Sequence, residues 1–364
     1  MHLYFRARDG SSKIPSQLHL WLTAASFLLL WPVCRATRVL PDLSGSVASL
    51  FFSWVVQSVV VAGLLYQFAV PGAWQPVWEH RWRFLPAAAI LLSLFFYMGS
   101  GFTAALFCLF VLVGLEFHFR SGDWLRALWS LLPWVYLAAG IQIAFTFNTA
   151  IVTVRPYDLY DLFFRTLDAR LFHLSVAAIN HAATGLYPVA EAIYYSIGGF
   201  MGAGLLFLCL AGDRSSAFRL AGAIVCCYFL SLLVFFAFPS NGPYILDPPG
   251  FPPGLATDAI QRASQANAAA LYHHRQWLSG MFGYFVAFPS MHVAQPLIAA
   301  WFLRRWKWVS AFIFFYCALL VPAILILEWH YAVDIVGGIL IAMLAMKISS
   351  LDLPWTRLRR KPQI

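Results

Sequence analysis

Most of the apolar residues in this chain fall in blocks of roughly 16 to 26, the length at which an α-helix crosses the hydrocarbon core of a bilayer. The candidate spans are 18–33, 47–70, 84–98, 101–118, 124–147, 186–211, 217–238, 291–303, 308–327 and 331–349. Lipid offers no partner to backbone amides and carbonyls, so a chain patterned this way folds as packed helices. Hydrophobic residues are 61% of the 364 positions and charged ones 11%, too few charges to coat a soluble domain of this size. The expected fold class is an all-α polytopic membrane protein of about ten transmembrane helices.

The first block follows Arg6, Arg8 and Lys13, as the apolar region of a signal peptide would. Trp31, Pro32 and Arg35 stand where small residues would mark cleavage, so a retained helix is expected. The apolar run from 84 to 117 is too long for one helix and is divided at Met98-Gly99-Ser100-Gly101. The block at 291–303 is short, and residues 280–288 either extend it or fold in as a re-entrant piece. Segments 1–17, 71–83, 118–126, 212–219, 304–307 and 347–364 hold 17 of the 24 Lys and Arg and are expected on the cytoplasmic side. The remaining seven are Arg35, Arg38, Arg155, Arg165, Arg170, Arg262 and Arg275, in the opposite, extracytoplasmic set.

The net charge of +9 is explained by that topology. No basic run with interleaved polar residues offers a nucleic-acid face. Cys34, Cys108, Cys209, Cys226, Cys227 and Cys317 lie in or at the ends of apolar blocks without CxxC spacing, which makes them packing residues. No internal repeat is visible, so an inverted-repeat transporter has no support in the pattern.

Two stretches do not span. Residues 157–173 carry Leu159, Leu162, Phe163, Leu167, Leu171 and Phe172 among acids and arginines, the pattern of an amphipathic helix lying in the interface. The loop from 238 to 280 opens rich in Pro, Gly, Asn and Ser and continues as a polar, Ala-rich helix over 257–278. Long ordered loops of this kind commonly cover a site.

Two motifs carry chemistry. Phe288-Pro289-Ser290-Met291-His292 stands directly before an apolar helix. Pro289 favours a helix start, Ser290 can cap it, and the free amides of the first turn form a cradle for phosphate beside His292. The second motif, His330-Tyr331-Ala332-Val333-Asp334-Ile335-Val336-Gly337, opens the last apolar block. His330 and Asp334 are four apart and share a helix face. A carboxylate so placed can bind one imidazole nitrogen and leave the other as a nucleophile. Asp334 is about one turn inside the membrane, where an ionisable residue marks function, and Gly337 and Gly338 permit close packing behind the pair. The alternative is that each polar residue only joins helices or sits at the interface.

Together the motifs resemble the second and third signatures of the type-2 phosphatidic acid phosphatase superfamily, which includes lipid phosphate phosphatases, inositol phosphorylceramide synthases and sphingomyelin synthases. The resemblance covers roughly 124–349 and implies a six-helix catalytic core. It implies His330 as the nucleophile that forms a phosphohistidine, His292 as the general acid, Asp334 as the orienter of His330 and Ser290 as a phosphate ligand. It implies no cofactor and no metal.

The superfamily's first signature, Lys-x6-Arg-Pro, has no counterpart. In its place stands Phe238-Pro239-Ser240-Asn241-Gly242-Pro243-Tyr244, without a cation, which resembles the inositol phosphorylceramide synthase-like branch. Asn241 and Tyr244 either donate to a phosphate or belong to an ordinary Pro/Gly turn. Arg155 is the candidate for offsetting phosphoryl charge, with headgroup binding or a purely interfacial place as the alternatives. Glu191, early in the 186–211 span with Tyr194 and Tyr195, has either a site role or a bond between helices. Glu328 reads as a loop or capping residue, and the His273-His274 pair lacks companions for a metal.

The expected organisation is an N-terminal addition of about four helices at 1–122, a six-helix core at 123–350 and a basic cytoplasmic tail at 351–364. The expected function is phosphatase or phosphotransferase chemistry on a lipid or polyprenyl phosphate in the bilayer, at the extracytoplasmic face of a bacterial inner membrane. A transporter or a non-catalytic lipid-binding protein is the competing class. A transporter leaves two histidines at helix starts on one membrane side unexplained.

Overall fold

The structure, a computed structural model, describes residues 160–350 except 212, 247–249, 253 and 275–286, together with scattered helical positions between 21 and 148. The candidate spans 18–33, 47–70, 84–98, 101–118 and 124–147 lie outside the described residues apart from those positions, as do Arg155 and the tail at 351–364. Among the described residues there is no strand.

Nine α-helices follow one another there: α1 Asp161–Leu171, α2 Val176–Ala182, α3 Tyr187–Tyr195, α4 Ile197–Leu210, α5 Arg214–Ala237, α6 Ala256–His274, α7 Met291–Phe302, α8 Lys307–Ile326 and α9 Ala332–Ser350. Single 3-10 turns stand at Thr184–Leu186 and Pro243–Ile245. Four segments are long and apolar enough to cross a membrane: Thr184–Cys209, Ser215–Ala237, Lys307–Ile326 and Ala332–Ser350. They match the sequence blocks at 186–211, 217–238, 308–327 and 331–349.

Two blocks depart from simple spans. The first span joins α3 and α4 end to end at Ser196, whose Oγ donates to Ile193 O (2.8 Å) while Tyr316 OH of α8 takes the same carbonyl (2.7 Å). The block at 291–303 folds as α7, whose 12 residues rise about 18 Å, well short of the hydrocarbon core. That helix is nonetheless central, touching α4, α5, α8 and α9. Its Ala294, Ile298, Ala299 and Ala300 are fully buried, and small side chains here let neighbours approach. Outward faces carry Leu233, Phe236, Phe314, Phe315, Leu340 and Met343, as lipid contact requires.

The amphipathic stretch at 157–173 forms α1, with Leu162, Phe163 and Leu171 exposed. Its acids do not all face water: Asp161 and Asp168 are buried against the bundle. They are seven apart, two helical turns, and so lie on one face with Phe164 between them. The Ala-rich loop helix forms α6, with Thr257, Gln261 and Ser264 buried. Gln261 Nε2 donates to Leu327 O and Gln265 Nε2 to Tyr244 O, which ties α6 across the end of the bundle.

Candidate active site

His330 stands two residues before α9, buried, in the turn that follows α8. Asp334 lies in the first turn of α9 and also is buried. The expected common helix face is therefore not what joins them, because His330 precedes the helix. The carboxylate reaches back instead: Oδ2 accepts from Tyr331 N at 2.8 Å and faces His330 Nδ1 at 3.3 Å. The amide just before the helix, with no helical acceptor, draws the side chain towards the N-terminus, and the imidazole is within its reach.

A second partner fixes the ring. Ala287 O lies 2.9 Å from His330 Nδ1. A carbonyl only accepts, so Nδ1 carries the hydrogen and Nε2 presents its lone pair. Burial pushes the imidazole down to about 4, although the Ala287 carbonyl acts in the opposite sense. His330 is thus neutral at physiological pH.

His292 is the second residue of α7, and its Nδ1 lies 3.1 Å from His330 Nε2. The lone pair on His330 makes His292 Nδ1 the donor. Tyr194 of α3 stacks on the His292 ring, with centroids 4.4 Å apart, and on its other neighbour Trp329 at 5.4 Å. Tyr194, three residues after Glu191, thus supports His292.

Ser290 occupies the N-cap position of α7 but makes no side-chain cap, contrary to expectation. Its Oγ is buried without a hydrogen-bond partner, while its amide donates to Asp334 O (3.0 Å). The amides of Met291, His292 and Val293 have no partner among the described residues, and Ala294 N bonds Ser290 O at 3.2 Å. Free amides at a helix start beside a buried hydroxyl are the kind of place where anions bind.

Gly337 and Gly338 bring α9 against the first motif. A Cβ on Gly338 would stand 2.4 Å from Ser290 O, and one on Gly337 would stand 2.6 Å from Phe288 Cε2. The Phe288-Pro289 peptide is cis.

Asn241 and Tyr244 are both buried. Asn241 contributes its backbone amide to Asp161 (3.1 Å to each oxygen), and Gly242 N donates to Asp161 Oδ1 at 2.9 Å. Tyr244 is fully buried, its ring edge-on to Trp329 at 5.3 Å. Glu191 Oε1 accepts from Thr257 N at 2.7 Å, in the first turn of α6. Glu328 is a loop residue with φ 54°, and its carbonyl accepts from Tyr244 N. Among the described residues no group of His, Cys, Asp and Glu could hold a metal ion.

Sequence reasoning gave no role to Asp161, Asp168, Ser240 or Tyr331. Asp168 accepts from Ala332 N (2.7 Å) and Val333 N (2.9 Å), and Tyr331 OH donates to Asp161 Oδ1 (3.1 Å). Ser240 Oγ accepts from Phe288 N, and Ser240 O accepts from Ala287 N. Burial raises the Asp161 carboxyl to about 6, though the amides of Gly242 and Asn241 pull it down, and burial raises Asp168 as well. The one legible signal was the seven-residue spacing of two acids in an otherwise apolar pattern.

Comparison with known families matches residues 164–348, half of the chain, to the PAP2 superfamily. No curated protein and no solved structure matches the chain. The matched region runs from the middle of α1 to the end of α9 and contains both histidines, Ser290 and Asp334. The chain belongs to the PAP2 superfamily.

Proposed function

We propose that this protein transfers a phosphoryl group or phospho-headgroup from a lipid-linked phosphate through a phosphohistidine on His330. The observation that carries the reading is the fixed tautomer of His330, whose Nε2 lone pair faces His292 at the open N-terminus of α7. PAP2 membership suggests phosphatase or phosphotransferase activity on lipid phosphates.

The phosphate binds over the amides of Met291, His292 and Val293, with Ser290 Oγ as a further donor and Arg155 as the cation the sequence offers for its charge. Its arrival replaces the bond between the imidazoles. The Nε2 lone pair of His330 forms the N–P bond as the bond from phosphorus to the leaving oxygen breaks. A proton brought in with the phosphate makes His292 an imidazolium, which passes the Nδ1 proton to that oxygen. Asp334 and Ala287 O hold the positive charge that develops on His330. In the second half, water or an acceptor hydroxyl gives its proton to His292 and attacks phosphorus. The N–P bond breaks and its electron pair returns to Nε2.

The uncharged segment 239–244 supports transfer to an acceptor hydroxyl, in the manner of the inositol phosphorylceramide synthase-like branch. Arg304, Arg305 and Lys307 follow α7, at the end away from the histidines, which supports an extracytoplasmic site.

Lipid mass spectrometry of membranes from cells making the wild-type chain or His330→Ala tests this. A lipid phosphate should be consumed, and a free alcohol or a new headgroup lipid should appear, only with the wild-type chain. Identical lipid profiles, with both proteins folded in the membrane, would sink the enzymatic reading.

A further inference from the structure

Helix α1 packs against α9, and its two buried carboxylates bond nothing on their own helix. Asp168 spends both oxygens on the first turn of α9, one on Ala332 N and one on Val333 N. That leaves Tyr331 N to Asp334, the contact that brings the Asp334 carboxylate to His330. It also fills the anion site at the start of α9, so the cradle at α7 is the one left for phosphate.

Asp161 reaches His330 by another route. It binds the amides of Asn241 and Gly242 and the hydroxyl of Tyr331, while Tyr160 N donates to Pro239 O at 2.8 Å. This pins the 239–242 segment. Ser240, within it, takes Ala287 N with its carbonyl and Phe288 N with its hydroxyl. Ala287 O in turn receives the Nδ1 hydrogen of His330. Both acids therefore end on the same nitrogen, one through α9 and Asp334, the other through Ser240 and Ala287.

We propose that Asp161 and Asp168 are positioning residues for the His330 reaction, fixing the imidazole tautomer and orientation from a helix that lies in the membrane interface. The exposed Leu162 and Phe163 of the same helix anchor it in lipid, so the clamp is referenced to the bilayer surface. The inference rests on the reading of His330 as the phosphoryl acceptor for its functional meaning, not for its geometry.

The test uses the full chain in lipid nanodiscs with orthovanadate, which mimics a phosphoryl group in transfer to an imidazole nitrogen, and 15N NMR of histidine. Asp161→Asn and Asp168→Asn should each weaken His330-dependent vanadate binding by about fivefold or more, since small misplacements of reacting atoms are costly. His330 should pass from a single Nδ1–H tautomer to a mixture. Asp258→Asn, which breaks an exposed pair with Arg262, should change neither. A purely structural role would lower the melting midpoint while leaving affinity and tautomer of the folded protein unchanged, and that result overturns the proposal. Should Asp168→Asn fail to fold, Asp161→Asn decides alone. Equal vanadate binding by wild type and His330→Ala would instead remove the catalytic reading, with the tautomer signal still judging the clamp.

Discussion

Nδ1 of His292 lies 3.1 Å from Nε2 of His330, so the proposed acid is hydrogen-bonded to the proposed nucleophile. A group that accepts a hydrogen bond through the same lone pair it uses for attack is held in line with the proton donor. Transfer to phosphorus and protonation of the leaving oxygen then share one axis. The two histidines are consequently not interchangeable, and their variants should separate.

His292→Ala should lower kcat for an alkyl phosphate by about 10²–10⁴-fold, the range for loss of a general acid. The loss should shrink to about tenfold or less for an aryl phosphate, whose leaving group needs no proton. His330→Ala should abolish turnover of both. Equal loss on both substrates for His292→Ala would reassign it from proton transfer to phosphate binding.

The buried groups Asp161 and His330 make opposing contributions to stability between pH 4 and 6. Asp161 is raised from 3.8 to about 6, so the folded state binds its proton more tightly and this contribution falls as pH rises through that window. His330 is lowered from 6.5 to about 4, so the unfolded chain binds its proton more tightly and this contribution rises over a similar window. Each amounts to roughly 3 kcal/mol at most. Relative to wild type, Asp161→Asn should gain stability as pH rises from about 4 to about 6, and His330→Asn should lose it. Denaturation midpoints across that range check both signs, and parallel profiles would contradict the burial argument.

Gly338 tests how tightly the two motifs are pressed together. A methyl there meets the Ser290 carbonyl, which is backbone and cannot swing aside. Gly338→Ala should cost about 1–3 kcal/mol, as overpacking does, and also displace the anion cradle. Gly185→Ala meets nothing within 4 Å and should be neutral by the same thermal assay. A neutral Gly338→Ala would show that α9 can shift freely.

What the sequence revealed and what it concealed divide along physical lines. Apolar blocks of spanning length announce themselves by composition, so the helices α5, α8 and α9 were legible almost to the residue. His330 and Asp334 were legible because both are costly in an apolar setting and stand four apart. The detail of their contact was not, since a helix start at 332 rather than 330 depends on which carboxylates are free to cap it. Asp168 supplies those caps from 164 residues away, and no local pattern encodes a partner at that range. The hydrogen-bonding chemistry of Asn241 and Tyr244 was legible, and the backbone contacts of their segment were not. Here the segment is pinned by its backbone, and the Tyr244 ring fills the space beneath Trp329.

Glu191 offers the sharpest choice between structure and catalysis. Its carboxylate takes Thr257 N at the start of α6, where a negative charge also suits the positive end of the helix dipole. Tyr194, one turn further along α3, stacks on His292, so α3 links the covering helix to the proposed acid. Loss of a cap costs about 1 kcal/mol, enough to loosen α6 without unfolding the bundle. Glu191→Gln retains an acceptor oxygen and should keep both kcat and amide protection in α6 close to wild type. Glu191→Ala should raise hydrogen exchange at Ala259 to Gln265 by about fivefold, with kcat falling less than KM rises, because the cover and not the imidazole pair is disturbed. If Glu191→Gln instead abolished turnover while α6 stayed protected, the carboxylate itself would be part of the chemistry and the cap would be secondary.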